Sequence, residues 1–168
     1  MHQAPNVLSF RPKTVVGVES RPRWLRRDLS VTHEATFYEF LIDGRPLTEL
    51  LEAAEGIARP DQETTNLGCS MVDAALSQLD QLLGVEPPES TAQRVWLLFC
   101  PVDHDPGCGG ISARITWGPQ TVTWSEFGWD DDVAGPVVPL SQHQHFTFDR
   151  DQYEKDLRAL RAKFSARV

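Results

Sequence analysis

The chain has 168 residues, 40% hydrophobic and 24% charged, with 12 prolines and 11 glycines, values ordinary for one globular domain and far from collagen, coiled coil or a wholly disordered polypeptide. A protein of this length buries about 68–70% of the surface it exposes when unfolded, so it can hold a core without disulfide staples or an obligatory metal. Its formal net charge of −8 works against binding to phosphate backbones, whose affinity comes from counterion release onto Lys and Arg, and so excludes nucleic acid as the expected partner.

No apolar run approaches the roughly 18 residues of a transmembrane helix. Met1 to Lys13 is polar and broken by proline, without the charged-then-apolar pattern of a signal peptide. A cytoplasmic protein with no membrane partner is therefore expected. Cys69, Cys100 and Cys108 are an odd number and too few for a disulfide framework. Charge is uneven along the sequence. In the first thirty residues six basic side chains (Arg11, Lys13, Arg21, Arg23, Arg26, Arg27) face Glu19 and Asp28, a net +4 that leaves −12 for the remainder. With Pro5, Pro12 and Pro22 interrupting it, this stretch reads as a basic, partly ordered N-terminal arm over residues 1–27, complementing an acidic single domain over 28–168.

Along that domain, Phe37, Glu39 and Leu41 alternate with Tyr38, Phe40 and Ile42 before the turn signal Asp43-Gly44, which predicts a strand apolar on both faces and hence central. Leu47, Leu50, Leu51 and Ala54 recur at helical spacing before Gly56, a short helix closed by glycine. A second helix is capped by Ser70, carries Val72, Leu76, Leu79 and Leu83 as its core stripe and ends at Gly84. After the stiff Pro87-Pro88 linker, the all-apolar run Val95 to Phe99 reads as a strand buried on both faces and is the expected centre of the sheet. Ile111, Ala113, Ile115 and Trp117, the turn Gly118-Pro119, then Val122 and Trp124 make an antiparallel hairpin over 111–127. Phe146 and Phe148 form a short strand running into the last helix. There Asp149 as N-cap, Gln152, and Phe148 against Tyr153 give a capping box with a hydrophobic staple, ahead of the stripe Tyr153, Leu157, Leu160 and Phe164. Helices and strands mix without βαβ alternation, so the expected class is α+β, one mainly antiparallel sheet with about three helices packed on one face.

The densest set of chemical groups is the loop from Cys100 to Gly110, which gathers two thiols, an imidazole and two carboxylates. Cys100, His104 and Cys108 are evenly spaced, and thiolate with imidazole is the ligand set zinc prefers. Three ligands are not four, and neither cysteine belongs to a C-x-x-C knuckle. The alternatives are a Cys100/Cys108 thiol–disulfide pair, or Cys100 as a small buried hydrophobe in a loop shaped by glycine and proline. No G-x-G-x-x-G, G-K-[ST], G-x-S-x-G or H-E-x-x-H occurs, so nucleotide cofactors and the common hydrolase sites have no seat. Trp117 and Trp124 are in phase with the inward residues of the hairpin. Trp129 is then the exposed aromatic, beside Asp130, Asp131 and Asp132, and a tryptophan anchor with a charged rim is typical of protein interfaces. The acidic run itself lacks the spacing and glycine of a calcium loop and reads as solvated.

At the Cys100–Gly110 loop, with Ile111-Ser112-Ala113-Arg114-Ile115, Val122 through Trp129, Phe146 through Tyr153 and Ile42 through Leu47, the sequence resembles a family of small uncharacterised bacterial proteins common in actinobacteria, to which the label oxidoreductase is sometimes attached. The family loop reads Cys-Pro-x-Cys-Gly-Asp-x-Gly-Cys-Gly. Here Asp103 stands at the middle cysteine and His104 at the glycine, substitutions that keep the loop's shape more easily than a redox role. The resemblance implies a fold and a phylum and carries no established activity. The function expected is a non-catalytic protein-binding module, immunity-like or regulatory, with Trp129, Asp130, Asp131 and Asp132 on its contact surface and no cofactor. The alternative is a zinc or thiol site at Cys100, His104 and Cys108.

Overall fold

The computed structural model describes residues 4–20, 30–51, 64–100, 107, 109–131, 136–140 and 144–167. The first two strands, β1 (Leu8–Ser20) and β2 (Ser30–Ile42), pair antiparallel along their whole length, from Leu8 opposite Ile42 to Ser20 opposite Ser30. Asp43 and Gly44 both take positive φ, 52° and 78°, the geometry an Asp-Gly hairpin turn requires, and lead into β3 (Arg45–Pro46) and the single turn α1 (Leu47–Leu50). The central position expected of β2 holds within this three-stranded sheet, β1-β2-β3. The glycine-closed helix end expected at Ala54 and Gly56 lies outside the described residues.

Over residues 8–20 the expected arm is a full strand of this hairpin. Pro12 is tolerated because β1 ends the strand order, where a missing N–H breaks no inner ladder. Two of the basic side chains close on one acid. The Arg11 guanidinium donates to the buried Glu39 carboxylate through Nε at 2.7 Å, and Lys13 Nζ stands 3.9 Å from its other oxygen.

After α2 (Val72–Leu82) come β4 (Val95–Phe99), β5 (Gly110–Trp117), β6 (Thr121–Asp130), β7 (Val138–Pro139), β8 (Phe146–Asp149) and α3 (Arg150–Ser165). They make a second, five-stranded antiparallel sheet in the order β4-β5-β6-β7, with β8 alongside the first half of β6 and β7 alongside its second half. The protein is thus α+β with two antiparallel sheets, where one was expected. Among the described residues, isolated backbone bridges run between the sheets and along their edges. Asn6 exchanges bonds with Thr147 at 2.7 and 3.0 Å. Residues 64–69 stitch the other side: Thr64 and Phe99 bond in both directions, Tyr38 N donates to Leu67 O, and Cys69 N donates to Thr36 O.

β4 is buried along its whole length yet ends the strand order, and is not its centre. Its burial comes from α2, where Gln78 Nε2 donates to both Trp96 O and Leu97 O, and from Thr64 across its outer edge. The hairpin β5–β6 forms as predicted, with Trp124 fully buried. The N-cap of α2 is Met71, whose side chain makes no capping bond, in place of Ser70, and its innermost residues are Ala75, Leu79 and Leu82. In α3, Asp149 Oδ1 accepts from Gln152 N at 3.0 Å as expected, but Gln152's side chain turns forward to Asp156, which leaves the capping box half made. Its stripe of Tyr153, Leu157, Leu160 and Phe164 is buried as predicted.

The five-stranded sheet and both longer helices meet at one hydroxyl. Tyr153 Oη accepts from Trp124 Nε1 at 3.0 Å and donates to Leu82 O at 2.9 Å, joining β6, α3 and the end of α2. Phe40 of β2 and Phe148 of β8 stand edge-on to the same indole at 5.5 and 5.3 Å between centroids, an arrangement that ring quadrupoles favour.

Burial pushes the Tyr153 phenol far above its ordinary value. A raised pKa in the fold means stability that is complete below the unfolded value, near pH 10, and lost as pH climbs past it, because only the unfolded protein releases the proton. Urea unfolding between pH 9 and 11.5 is expected to show stability falling by up to about 1.4 kcal/mol per pH unit above pH 10 from this group. Tyr153→Phe should flatten that slope and, by orphaning the Trp124 N–H and the Leu82 carbonyl, lower stability at pH 7 by about 1–3 kcal/mol. An unchanged slope in the variant would assign the alkaline loss to other groups.

Candidate functional site

Arg94, immediately before β4, is only 5% exposed. A buried guanidinium must be compensated on all sides. Nε donates to Ser112 Oγ at 2.8 Å, and Nη2 donates to Ser112 O at 3.0 Å and to the backbone carbonyl of Glu126. Ser112 Oγ in turn donates to Asp130 Oδ2 at 3.2 Å, and Ser90 Oγ reaches the same oxygen at 2.8 Å. Asp130 is 4% exposed, so a buried anion and a buried cation are joined through one serine. Burial pushes the Arg94 pKa down, and the charges of Asp130 and Glu126 pull it back up, while a guanidinium stays protonated at any working pH.

The sheet is irregular where this cluster sits. Ser112 pairs with Gly128 but Arg114 pairs with Ser125, so Ala113 faces two residues, Glu126 and Phe127. That is a bulge, a device that turns one side chain away from the pleat. Glu126 takes φ 53°, a left-handed conformation that costs a non-glycine residue about 1–2 kcal/mol, and this turns its carbonyl onto Arg94 while its side chain remains largely exposed. Its carboxylate lies between two guanidiniums, with Oε2 3.0 Å from Arg114 Nε and 3.8 Å from Arg94 Nη1.

Beside the bulge a cleft of about 710 Å³ opens on the sheet. Arg114, Thr123 and Ser125 contribute polar side chains to it, Phe127, Pro139 and Leu140 apolar ones, and His145 also lines it. The bulge falls between the stretches of β6 that pair with β8 and with β7.

The residues singled out from sequence are distributed otherwise. Trp129 is half-buried within β6, opposite Ile111. Its ring lies so close over Gly109 that a Cβ there would stand 2.2 Å from Cζ2, so it packs on the backbone in place of projecting from it. Asp130 belongs to the buried cluster and not to a solvated acidic run, because β6 continues through it. Asp131 is half-buried and Asp132 lies outside the described residues. Cys100 is a half-buried free thiol at the end of β4, while His104 and Cys108 lie outside the described residues. Among the described residues no group of three or more His, Cys, Asp or Glu side chains could hold a metal ion. Arg94, Ser112, Arg114 and Glu126 went unmarked by sequence motifs. The one local signal was an arginine immediately before the all-apolar run Val95 to Phe99.

Comparison with protein-family models, with curated proteins and with solved structures finds no match to this protein.

Asp130→Asn removes the buried counter-charge of Arg94 and is expected to cost about 3 kcal/mol in urea unfolding, against under about 1 kcal/mol for the exposed Arg114→Gln. Equal costs would mean that Arg94 draws its compensation from the cleft and not from Asp130.

Proposed function

We propose that this protein is a non-catalytic protein-binding module that receives its partner at the cleft beside the Glu126 bulge. The observation that carries the reading is a cleft on a braced sheet, with a nine-tenths buried arginine lining it that is held by Ser112, by the Glu126 carbonyl and, through Ser112, by Asp130. Sites on strands hold side chains more rigidly than sites on loops, and strain at Glu126 persists only where the surroundings over-determine it. The contact surface moves from the Trp129–Asp132 stretch to Arg114, Thr123, Ser125 and Glu126, all at least partly exposed. An immunity-like or regulatory role in the bacterial cytoplasm is consistent with this reading, and no described helix is long and apolar enough to cross a membrane.

A photo-crosslinking residue at Ser125 should capture one discrete protein in cells of the source organism. The same residue at Lys155 on α3 should capture none, and Thr123→Arg should abolish the Ser125 product. Equal capture from both positions, or none from Ser125, would remove the cleft as the contact face.

A second reading, a thiol or zinc site at Cys100, His104 and Cys108, draws support from the pairing of Phe99 with Gly110, which brings the two ends of that stretch together next to Cys100. Metal content and native-state alkylation separate the two. The first reading expects no stoichiometric zinc, rapid modification of the exposed Cys69 and slow modification of the half-buried Cys100. One zinc per protein molecule, lost in His104→Ala or Cys108→Ser together with stability, would establish the second.

A further inference from the structure

We infer that Arg94 and Arg114 form a two-armed receptor for a carboxylate of the ligand, a seat now taken by the protein's own Glu126. The inference rests on the proposed cleft reading for the carboxylate's being part of a partner protein.

Three N–H groups of Arg94 are committed to Ser112 Oγ, Ser112 O and Glu126 O, and these fix the plane of the guanidinium. Nη1 is left with Glu126 Oε2 at 3.8 Å, beyond hydrogen-bonding distance. Arg114 meets the same oxygen through Nε at 3.0 Å, which leaves its terminal nitrogens free to turn toward a second acceptor. One oxygen is thus shared by two cations, and neither pair uses the two-pronged geometry in which a guanidinium holds a carboxylate best.

The two attachments of Glu126 differ in permanence. Its carbonyl is held on Arg94 by the bulge and by φ 53°. Its side chain is 60% exposed and pairs with the 46% exposed Arg114, a contact of the class worth at most about 1 kcal/mol in solvent. The carboxylate can therefore swing out while the backbone keeps Arg94 in position. A carboxylate arriving along the cleft would find Arg94 already desolvated and fixed, so the ordering cost that weakens flexible ion pairs has been met in folding. Phe127, Pro139 and Leu140 line the same cleft and suit an apolar residue next to that carboxylate. A carboxyl terminus following an apolar residue, or a glutamate side chain beside one, satisfies both conditions.

The test is an NMR titration that follows the arginine Nε–Hε resonances of the intact protein. The probes are N-acetyl-Ala-Leu with a free carboxylate, its C-terminal amide, N-acetyl-Leu-Glu-amide and inorganic phosphate. The free-carboxylate peptide is expected to shift the Arg94 and Arg114 signals. Glu126→Gln, exposed and safe for folding, should tighten it about fivefold, and Arg114→Gln should weaken it about fivefold, the factor for one exposed ion pair. The amide should not bind. Binding of N-acetyl-Leu-Glu-amide in preference to N-acetyl-Ala-Leu assigns the seat to a glutamate side chain, and the reverse to a carboxyl terminus. Unchanged affinity in Glu126→Gln, equal binding of the amide, or tighter binding of phosphate than of either carboxylate peptide would overturn the proposal. Capture of a partner through Ser125 that survives saturating N-acetyl-Ala-Leu would leave the cleft as the contact face while removing the carboxylate from it. Tight carboxylate binding without any captured partner would keep the receptor and discard the protein partner.

Discussion

A full positive charge lies inside the edge of the five-stranded sheet, and the local shape of that sheet follows from accommodating it. An uncompensated buried guanidinium would cost several kcal/mol, more than a single serine could offset. Arg94 therefore gathers one hydroxyl and two carbonyls directly and an aspartate through Ser112. The register shifts on both sides of Ser112, between Trp96 and Leu98 on β4 and between Gly128 and Ser125 on β6. Of the three non-glycine residues with positive φ among the described residues, Asp43 makes a tight turn, Gln93 closes the turn from Ser90 that leads into Arg94, and Glu126 belongs to this cluster. Gln93 precedes Arg94 in the sequence, and Glu126 supplies it with a carbonyl. Irregular backbone is concentrated where the charge is, which is the arrangement expected if satisfying the charge set the local geometry.

The Tyr153 hydroxyl solves a milder problem in a different way. It needs one donor and one acceptor and finds them in Trp124 and Leu82, so a single neutral group ties three elements without distorting any. The hydrophobic cluster is built around this point, with Phe40 bringing in the three-stranded sheet. The β1–β2 hairpin is held at this end, where Leu8, Phe40 and Ile42 are buried, whereas Thr14, Val16 and Glu34 to Thr36 are exposed. Two-stranded ribbons are marginal in water without a packed face, so opening is expected to be easier at the far half of this hairpin than at its rooted half.

Periodicity made the helix stripes, the Asp43-Gly44 turn and the β5–β6 hairpin legible, because each depends on neighbours a few residues away. What it could not convey were decisions made across the fold. Pro12 and the basic residues disguised β1 as an arm, since its partner Glu39 is 28 positions away from Arg11. Val95 to Phe99 read as a central strand because burial on both faces is the same in sequence whether a strand or a helix covers it. Trp129 and Asp130 read as surface because nothing local indicates that β6 continues through them. The arginine pair was hidden for a related reason: Arg94 and Arg114 look like isolated charges until a bulge at Glu126, 32 residues from Arg94, brings them to one carboxylate.

The charge of the whole protein bears on how such a site would work. At a net −8 the domain repels acidic partners at a distance, but that repulsion is screened beyond about 8–10 Å at physiological salt. A positive seat between Arg94 and Arg114, shared with Glu126 and backed by Asp130, adds little to the long-range field and acts only at contact. Recognition of this kind contributes specificity more than association rate. It suits a partner that is neutral or basic overall and presents a single carboxylate at the cleft. A uniformly acidic partner would meet the domain's own charge before it met the arginines.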